Sequence, residues 1–303
     1  MKEVKQIKIK KGMRVDELVK EMNNAGVMGG GRLGKAVDIV EAMVKDKDCK
    51  VFLGIAGALV PGGQRELLIE MIENKWIDVL VTTGANLTHD LAEALGYHHI
   101  QGSSKVDDSK LRKQGYDRMY DSYMPEKVYG SMENFFEKNF DTFAKCETIK
   151  EFLWEVGRLT SGRSMLKACY ENKIPVFCPA ISDSGIGLMI WGRLAKGKKI
   201  NINAFEDLKE IIDIAWTAKK TGVIYLGGGV PKNYIQQAMQ LTNGASYGLQ
   251  VTMDRPEHGG SSGAELKEGI SWGKLDPKGS YTDLICDVTI ALPIIVASLK
   301  DRL

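Results

Sequence analysis

Gly222-Val-Ile-Tyr-Leu-Gly-Gly-Gly-Val-Pro-Lys-Asn-Tyr234 decides the class of fold. The run up to Leu226 is short, apolar and rich in β-branched and aromatic residues, as a buried strand requires. Three glycines end it. Pro231 suits the first turn of a helix, expected over Lys232–Thr242. By context this is a pyrophosphate-type loop, although its glycine spacing matches no standard fingerprint. The same strand-to-helix alternation recurs on both sides. Val51-Phe-Leu-Gly-Ile-Ala56 is a buried strand followed by a helix over Gln64–Asn74. Asp78-Val-Leu-Val-Thr-Thr83 is the next strand, with a helix near His89–Leu95. Ile174-Pro-Val-Phe-Cys-Pro179 resumes the strands, and 204–220 is an amphipathic helix. Tyr247–Met253 and Leu284–Thr289 are the last strands, before an apolar terminal helix. Such alternation predicts an α/β, Rossmann-like fold: a mainly parallel sheet with helices on both faces.

The rest of the chain fits around that frame. Residues 1–12 read as a basic lead-in, and 13–303 as a single domain. Apolar spacing is helical over Val15–Met22 and Leu33–Val44. Residues 97–130 are polar, tyrosine-rich and without period, a long excursion. Helices cover roughly 131–145 and 148–172. The strands run out into small or polar residues at Gly57–Gly63, Thr82–Asn86, Ile181–Gly185, Gly227–Pro231, Asp254–Gly263 and Asp287–Thr289. Ligands of open α/β sheets bind at the carboxyl ends of strands. A crevice of backbone N–H groups and hydroxyls there suits an extended phosphate-bearing cofactor; the plainer reading is that glycine and proline merely end strands.

Composition narrows the function. The chain has 303 residues, 44% apolar and 26% charged, with net charge +2. No nucleic-acid footprint follows from so small and dispersed a charge. The N-terminus lacks the apolar core of a signal peptide, and Thr289–Leu299 is too short to span a bilayer. Five scattered cysteines without C-x-x-C argue for a reducing cytoplasm rather than a disulfide framework or zinc site.

Gly29-Gly-Gly-Arg-Leu-Gly-Lys-Ala36 matches G-x-G-x-x-G and nearly a Walker A loop. Both need a strand just before them, and Leu18–Ala25 reads as helix. Ala36 also stands where Walker A needs Ser or Thr, so both are rejected in favour of a flexible helix connection. None of the four histidines forms an H-x-x-x-H pair, and the adjacent His98 and His99 rings are expected to point apart, so no metal site is expected. Asp183, at a strand end, is the best carboxylate for a ribose hydroxyl or an amine, or else an ordinary Asx-turn.

His258-Gly-Gly-Ser-Ser-Gly-Ala-Glu-Leu-Lys-Glu-Gly-Ile-Ser-Trp-Gly-Lys274 carries the sharpest chemistry. Ser262 and Glu265 form a capping-box pattern, which predicts a helix start able to attract an anion. Lys274 follows an aromatic and a glycine, a setting that shields an amine and makes it nucleophilic toward carbonyl or imine carbon. A capped surface helix ending in a solvated lysine is the bland alternative.

Gly-Gly-Ser-Ser-Gly-Ala, Glu268 and Ser-Trp-Gly-Lys274 resemble the active-site segment of deoxyhypusine synthases, and the likeness recurs from about residue 14 to the C-terminus. The Gly227-Gly-Gly-Val230 segment is similar too. The resemblance implies an NAD-dependent aminobutyl transferase. The butylimine derived from spermidine forms on the lysine matching Lys274, then passes to a lysine of the hypusine-bearing translation factor precursor. It places Gly57, Ala58, Leu59, Val60 and Pro61 on a first NAD loop and Thr83, Gly84 and Ala85 on a second. His89, Asp183, Gly228, Thr252, Met253, Asp287 and Val288 match further NAD positions. Glu268, Trp272, Asn233, Gly260 and Ser261 fall on the amine side. A cytoplasmic homotetramer is implied, with no metal, nucleic acid or membrane partner. Departures from the eukaryotic pattern cluster at the amine cradle. Leu188 and Ser261 replace carboxylates, Asn233 replaces a histidine, Thr88-His89 replaces a glutamate pair, and the eukaryotic N-terminal extension is missing. These changes resemble the archaeal and bacterial branch, in which homospermidine synthase-like enzymes use a free amine as acceptor. A non-catalytic NAD-binding protein is the rival of another class, although it needs none of Lys274, Glu268 and Trp272.

Overall fold

A computed structural model describes residues 2–303. In chain order the elements are α1 (Val15–Ala25), α2 (Met28–Lys45), β1 (Cys49–Ile55), α3 (Arg65–Glu73), β2 (Val79–Thr82), α4 (Gly84–Ala94), β3 (Ile100–Gln101), α5 (Asp108–Lys113), β4 (Tyr116–Met119), β5 (Ser122–Pro125) and α6 (Lys127–Phe143). There follow α7 (Ile149–Leu159), α8 (Met165–Asn172), β6 (Val176–Phe177), α9 (Gly185–Leu194), α10 (Ala204–Thr217), β7 (Lys220–Leu226), α11 (Gly229–Met239), β8 (Ala245–Thr252), β9 (Leu275–Ile285) and α12 (Val288–Arg302). They pack as two compact units. The first comprises Met1–Ala56, Trp76–Val81 and Leu208–Leu303, the second Gly57–Lys75 and Thr82–Asp207.

The first unit is built on a sheet in the order β2-β1-β7-β8-β9. β1 pairs parallel with β7, β7 with β8, and β8 with β9. The α/β expectation therefore holds, because strands with continuous runs such as Val51–Ile55 and Val223–Leu226 are buried throughout and need cover on both faces. β9 starts nine residues earlier than the apolar run at Leu284; after buried Leu275 its first part is half-buried or exposed up to Thr282 and so carries no apolar run.

The glycine run 29–36 is not a connection. It lies inside α2, which crosses α1 closely. A Cβ on Gly34 would lie 2.4 Å from Asn23 Cβ, and one on Gly31 2.4 Å from Gly26 C. Gly31 and Gly34 serve this close contact, and the run follows a helix rather than the strand a phosphate loop requires. Asp16 of α1 then ties the chain ends together, accepting from Ser298 at 2.7 Å and Arg302 at 2.5 Å on α12.

The second unit is mainly helical, with Phe136 and Phe143 of α6 tilted against each other and Phe143 meeting Phe152 of α7 edge to face. The stretch 97–130 holds an antiparallel sheet in the order β3-β5-β4. Its strands have two to four residues, mostly half-buried, so no alternation marks them in the sequence. The helix expected over 148–172 is two, α7 and α8, separated at residues 160–164. No helix among the described residues is long and apolar enough to cross a membrane.

Candidate active site

After β8 the chain crosses to β9 through the loop 253–265 and the short 3-10 turn Leu266–Ile270. Three side chains anchor that crossing. Lys232 Nζ, on α11, donates to Ser261 O at 2.6 Å and Ala264 O at 2.7 Å. Gln250 Nε2, on β8, donates to Ala264 O at 3.0 Å. Asp283 Oδ1, on β9, accepts from the amide of Leu266 at 3.0 Å. Two glycines permit the close fit. A Cβ on Gly228 would sit 2.3 Å from Ser262 Cα, and one on Gly263 2.1 Å from Arg255 O. The expected capping box at Ser262 and Glu265 does not open an α-helix. Only the five-residue turn forms, with no side-chain cap; the Glu265 carboxylate pairs with Lys267 at 2.9 Å instead.

Between the crossing and α11 lies a pocket of about 300 Å³. Lys274, Glu268, Trp272, Ser261 and Asn233 all line it, as the sequence places them. Gly260 does not; Gly259 lines the pocket instead, and the Gly260 amide donates to His258 Nδ1 at 3.0 Å. Lys274 is 9% exposed. Its amide donates to Gly269 O at 2.8 Å, its carbonyl accepts from the Ala245 amide at 3.1 Å, and Nζ stands 5.1 Å from the Trp272 ring centroid. The backbone is thus fixed on both sides while the amine borders the pocket, resting on an aromatic face. The wall also holds Lys232, Gln236, Gln237, Gln240 and Glu265, which sequence reasoning missed. Lys232 is 1% exposed. Burial pushes its ammonium down to about 8; Asp283 and Glu268 oppose that shift, and Lys274 adds to it. Its position one residue after Pro231, inside a helix, gives no sequence sign of burial.

Gly228, Thr252 with Met253, and Asp287 with Val288 meet at the carboxyl ends of β7, β8 and β9. Gly227 N donates to Val251 O at 2.8 Å and Cys286 N to Thr252 O at 3.2 Å. α11 opens there on glycine with no side-chain cap, whereas Asp287 caps α12 through the Thr289 amide at 2.7 Å. Uncapped N–H groups behind a glycine turn fit a pyrophosphate. Exposed Met253 and Ile285 give an adjacent apolar face for a flat ring. On these two observations the residues of the first unit fit a dinucleotide.

The other predicted cofactor residues belong to the second unit. Gly57 has φ +77° with no atom close to its α-carbon face, and Ala58 to Pro61 form a tight turn in which Gly62 N donates to Ala58 O at 2.9 Å. Thr83 caps α4, its hydroxyl accepting from Asn86 N at 3.4 Å. Gly84 and Ser184 touch closely, as do Gly185 and Thr88, so the starts of α4 and α9 pack together. Asp183, exposed, directly precedes Ser184 at that contact. Thr88 links the two starts: its hydroxyl donates to Gly84 O at 2.8 Å and accepts from Ile186 N at 3.2 Å. The His98 and His99 rings do not point apart. Both fall between a helix and a strand, and both Nδ1 atoms bond Glu93, at 2.9 and 2.6 Å. His99 Nε2 lies 3.0 Å from His89 Nδ1.

A sequence model described as deoxyhypusine synthase matches residues 17–299. The probable deoxyhypusine synthase 1 of Methanosarcina mazei is 43% identical over 303 residues, covering 99% of this chain and 95% of the relative. That of Archaeoglobus fulgidus is 42% identical over 295 residues, 97% and 96% of the two chains. The chain belongs to the deoxyhypusine synthase family. With membership comes deoxyhypusine synthase activity, a group transfer. A crystallised deoxyhypusine synthase candidate of Entamoeba histolytica superposes with a TM-score of 0.63 over 95% of this chain and 93% of its own, at 19% identity, which speaks for the fold alone. Against the family's eukaryotic pattern, the departures now have places. Leu188 is exposed on α9, Ser261 holds the loop to Lys232 through its carbonyl, and Asn233 is exposed at the pocket wall.

Proposed function

We propose that this deoxyhypusine synthase uses NAD and spermidine and delivers the aminobutyl group through an imine on Lys274 to a lysine of the hypusine-bearing translation factor precursor. The observation that carries the reading is the convergence of Lys274, Glu268 and Trp272 on one pocket. NAD, when bound, supplies the acceptor and later the donor of a hydride. The residues that would hold it are Gly228, Thr252, Met253, Asp287 and Val288 in the first unit. In the second they are Gly57, Ala58, Leu59, Val60, Pro61, Thr83, Gly84, Ala85, His89 and Asp183.

The chain's own groups divide the remaining work. The Glu268 carboxylate attracts an ammonium end of the substrate. The Trp272 ring covers the amine of Lys274 and limits water at the imine carbon. Lys274 forms the covalent bond, because its amine can lose protons and become a nucleophile. Lys232 is held by two carbonyls and fixes the loop that forms the opposite wall. The acceptor protein would be approached at the open mouth of the pocket.

A second reading, transfer to a free amine as in homospermidine synthase-like enzymes, is favoured by the loss of carboxylates at Leu188 and Ser261. Purified protein given NAD, labelled spermidine and free 1,4-diaminobutane, with and without the precursor factor, separates the two. Label on a lysine of the factor supports the proposal; labelled homospermidine in its place supports the second reading. Consumption of neither substrate contradicts both. The same reading places the protein in the cytoplasm, in keeping with five free cysteines, four of them buried. It also makes it a homotetramer, for which exposed Leu188, Trp191 and Leu194 on α9 offer apolar surface. Sedimentation as a monomer at micromolar concentration would count against that assembly.

A further inference from the structure

α11 carries a row of primary amides on the face that lines the pocket, at Asn233, Gln236, Gln237 and Gln240. Their spacing of three, four and seven residues keeps them on one side of the helix. Asn233, Gln237 and Gln240 are exposed, and Gln236 is buried. Gln236 is 7% exposed, and its carboxamide has no hydrogen-bond partner among the described residues. Burying an amide without a partner is unfavourable, and buried amides are nearly always paired. Gln236 lines the pocket, so its partner has to come from whatever the pocket holds.

The charges of the wall decide what that partner can be. All of the lining belongs to the first unit. Lys232 gives its ammonium to Ser261 O and Ala264 O, at 2.6 and 2.7 Å. Glu265 is paired with Lys267 at 2.9 Å. Glu268 makes no ion pair or hydrogen bond through its carboxylate among the described residues. The wall therefore offers a polar occupant one unpaired carboxylate, at Glu268, and one buried, unpaired carboxamide, at Gln236. The two differ in what they accept. A carboxylate only accepts hydrogens and gains most from a cation. A carboxamide has an oxygen that accepts and an amino group that donates, so it serves an ammonium, a neutral N–H or a hydroxyl alike.

We infer that Gln236 is a specificity-determining residue: its carboxamide receives the end of the amine substrate opposite the one held by Glu268, and that end need carry no charge. The inference rests on the proposed amine chemistry and narrows its substrate class. The donor is a linear amine with one obligatory ammonium end and one end that has only to hydrogen-bond. Gln236 takes no part in bond making; it sets which donors are held.

Two measurements test this, and the first uses the unaltered protein. NADH formed in a single turnover is followed with spermidine and with its two monohydroxy analogues, each bearing a hydroxyl in place of one terminal amine. The inference requires one analogue to half-saturate the protein within about 5-fold of spermidine. The other must need about 10-fold more or worse, the loss typical of a hydrogen bond to a charged group. Equal losses with the two analogues, or equal tolerance of both, overturn it. The second measurement compares Gln236→Glu and Gln236→Leu. The glutamate places a charge at the amide end, so the preference for spermidine over the tolerated analogue rises about 10-fold or more. The leucine removes the hydrogen bond and raises the half-saturating concentration of spermidine about 10-fold, with NAD affinity by calorimetry unchanged. A merely structural Gln236 predicts that Gln236→Glu leaves the ratio of the two substrates as it was. That result overturns the inference even if Gln236→Leu proves too unstable to assay. An unaltered protein that forms no NADH from spermidine defeats the amine reading itself and the inference with it.

Discussion

At the residue scale the pocket contains two lysines with different tasks. Lys274 has a backbone fixed by Gly269 and Ala245 and an amine facing the Trp272 ring. Lys232 spends its ammonium on Ser261 O and Ala264 O. The sequence announced the first through Ser-Trp-Gly-Lys and was silent about the second, since a lysine after Pro231 reads as solvated helix surface. Replacing Lys232 by Met should remove the partner of two carbonyls in a closely packed loop. An unsatisfied buried group costs about 1–3 kcal/mol, so urea unfolding should show a loss of that size, with KM for the amine raised as the loop loosens. Unchanged stability and KM would show that the two bonds are incidental. Glu268→Gln should raise KM for spermidine, by a charged hydrogen bond of about 1.5–3 kcal/mol, and leave NAD affinity by calorimetry unaltered. A weaker NAD affinity with a normal amine KM would reassign the carboxylate.

At the element scale the strands and most helices were legible because their apolar runs are continuous or periodic. What the sequence concealed has local causes. The sheet β3-β5-β4 has strands too short and too evenly half-buried to alternate. α4 begins at Gly84, five residues before the helix became recognisable, since Gly-Ala-Asn after the Thr83 cap resembles a loop. α9 went unread because Leu188, Trp191 and Leu194 lie exposed on it and no polar face marks its period. The glycine run 29–36 was correctly denied a phosphate role but mistaken for a connection; its glycines are there because α1 passes within contact of α2. Gly34→Ala should therefore destabilise the protein by about 1–3 kcal/mol, as overpacking does, while NAD binding persists. A neutral effect would mean that the two helices separate easily.

At the scale of the whole molecule, the ends of the chain are clamped through one carboxylate. Burial works to raise the Asp16 acid, yet hydrogen bonds from Lys20, Ser298 and Arg302, with the Arg302 charge, hold it at about 2 against an ordinary 3.8. The folded state thus favours the ionised form. The stabilisation is complete above about pH 4 and is lost as the pH falls through 2, and amounts to about 2 kcal/mol. Asp16→Asn should accordingly be less stable at neutral pH and show a shallower loss of stability between pH 4 and 2, followed by urea midpoint. Parallel curves for the two proteins would deny Asp16 that role. The α/β class and the family were both legible in the sequence, the former in strand-to-helix alternation and the latter in Ser-Trp-Gly-Lys274 and its companions. Lys232 and the Glu93-His99-His89 chain were not, because both depend on contacts between residues whose spacing follows no pattern. The central claim is that Lys274, and not its buried neighbour Lys232, carries the aminobutyl group. Borohydride added during turnover with spermidine and NAD, followed by peptide mass mapping, tests it most directly. The account predicts a reduced aminobutyl adduct on Lys274, absent in Lys274→Arg because a guanidinium forms no such imine; an adduct on Lys232, or transfer that survives Lys274→Arg, would contradict it.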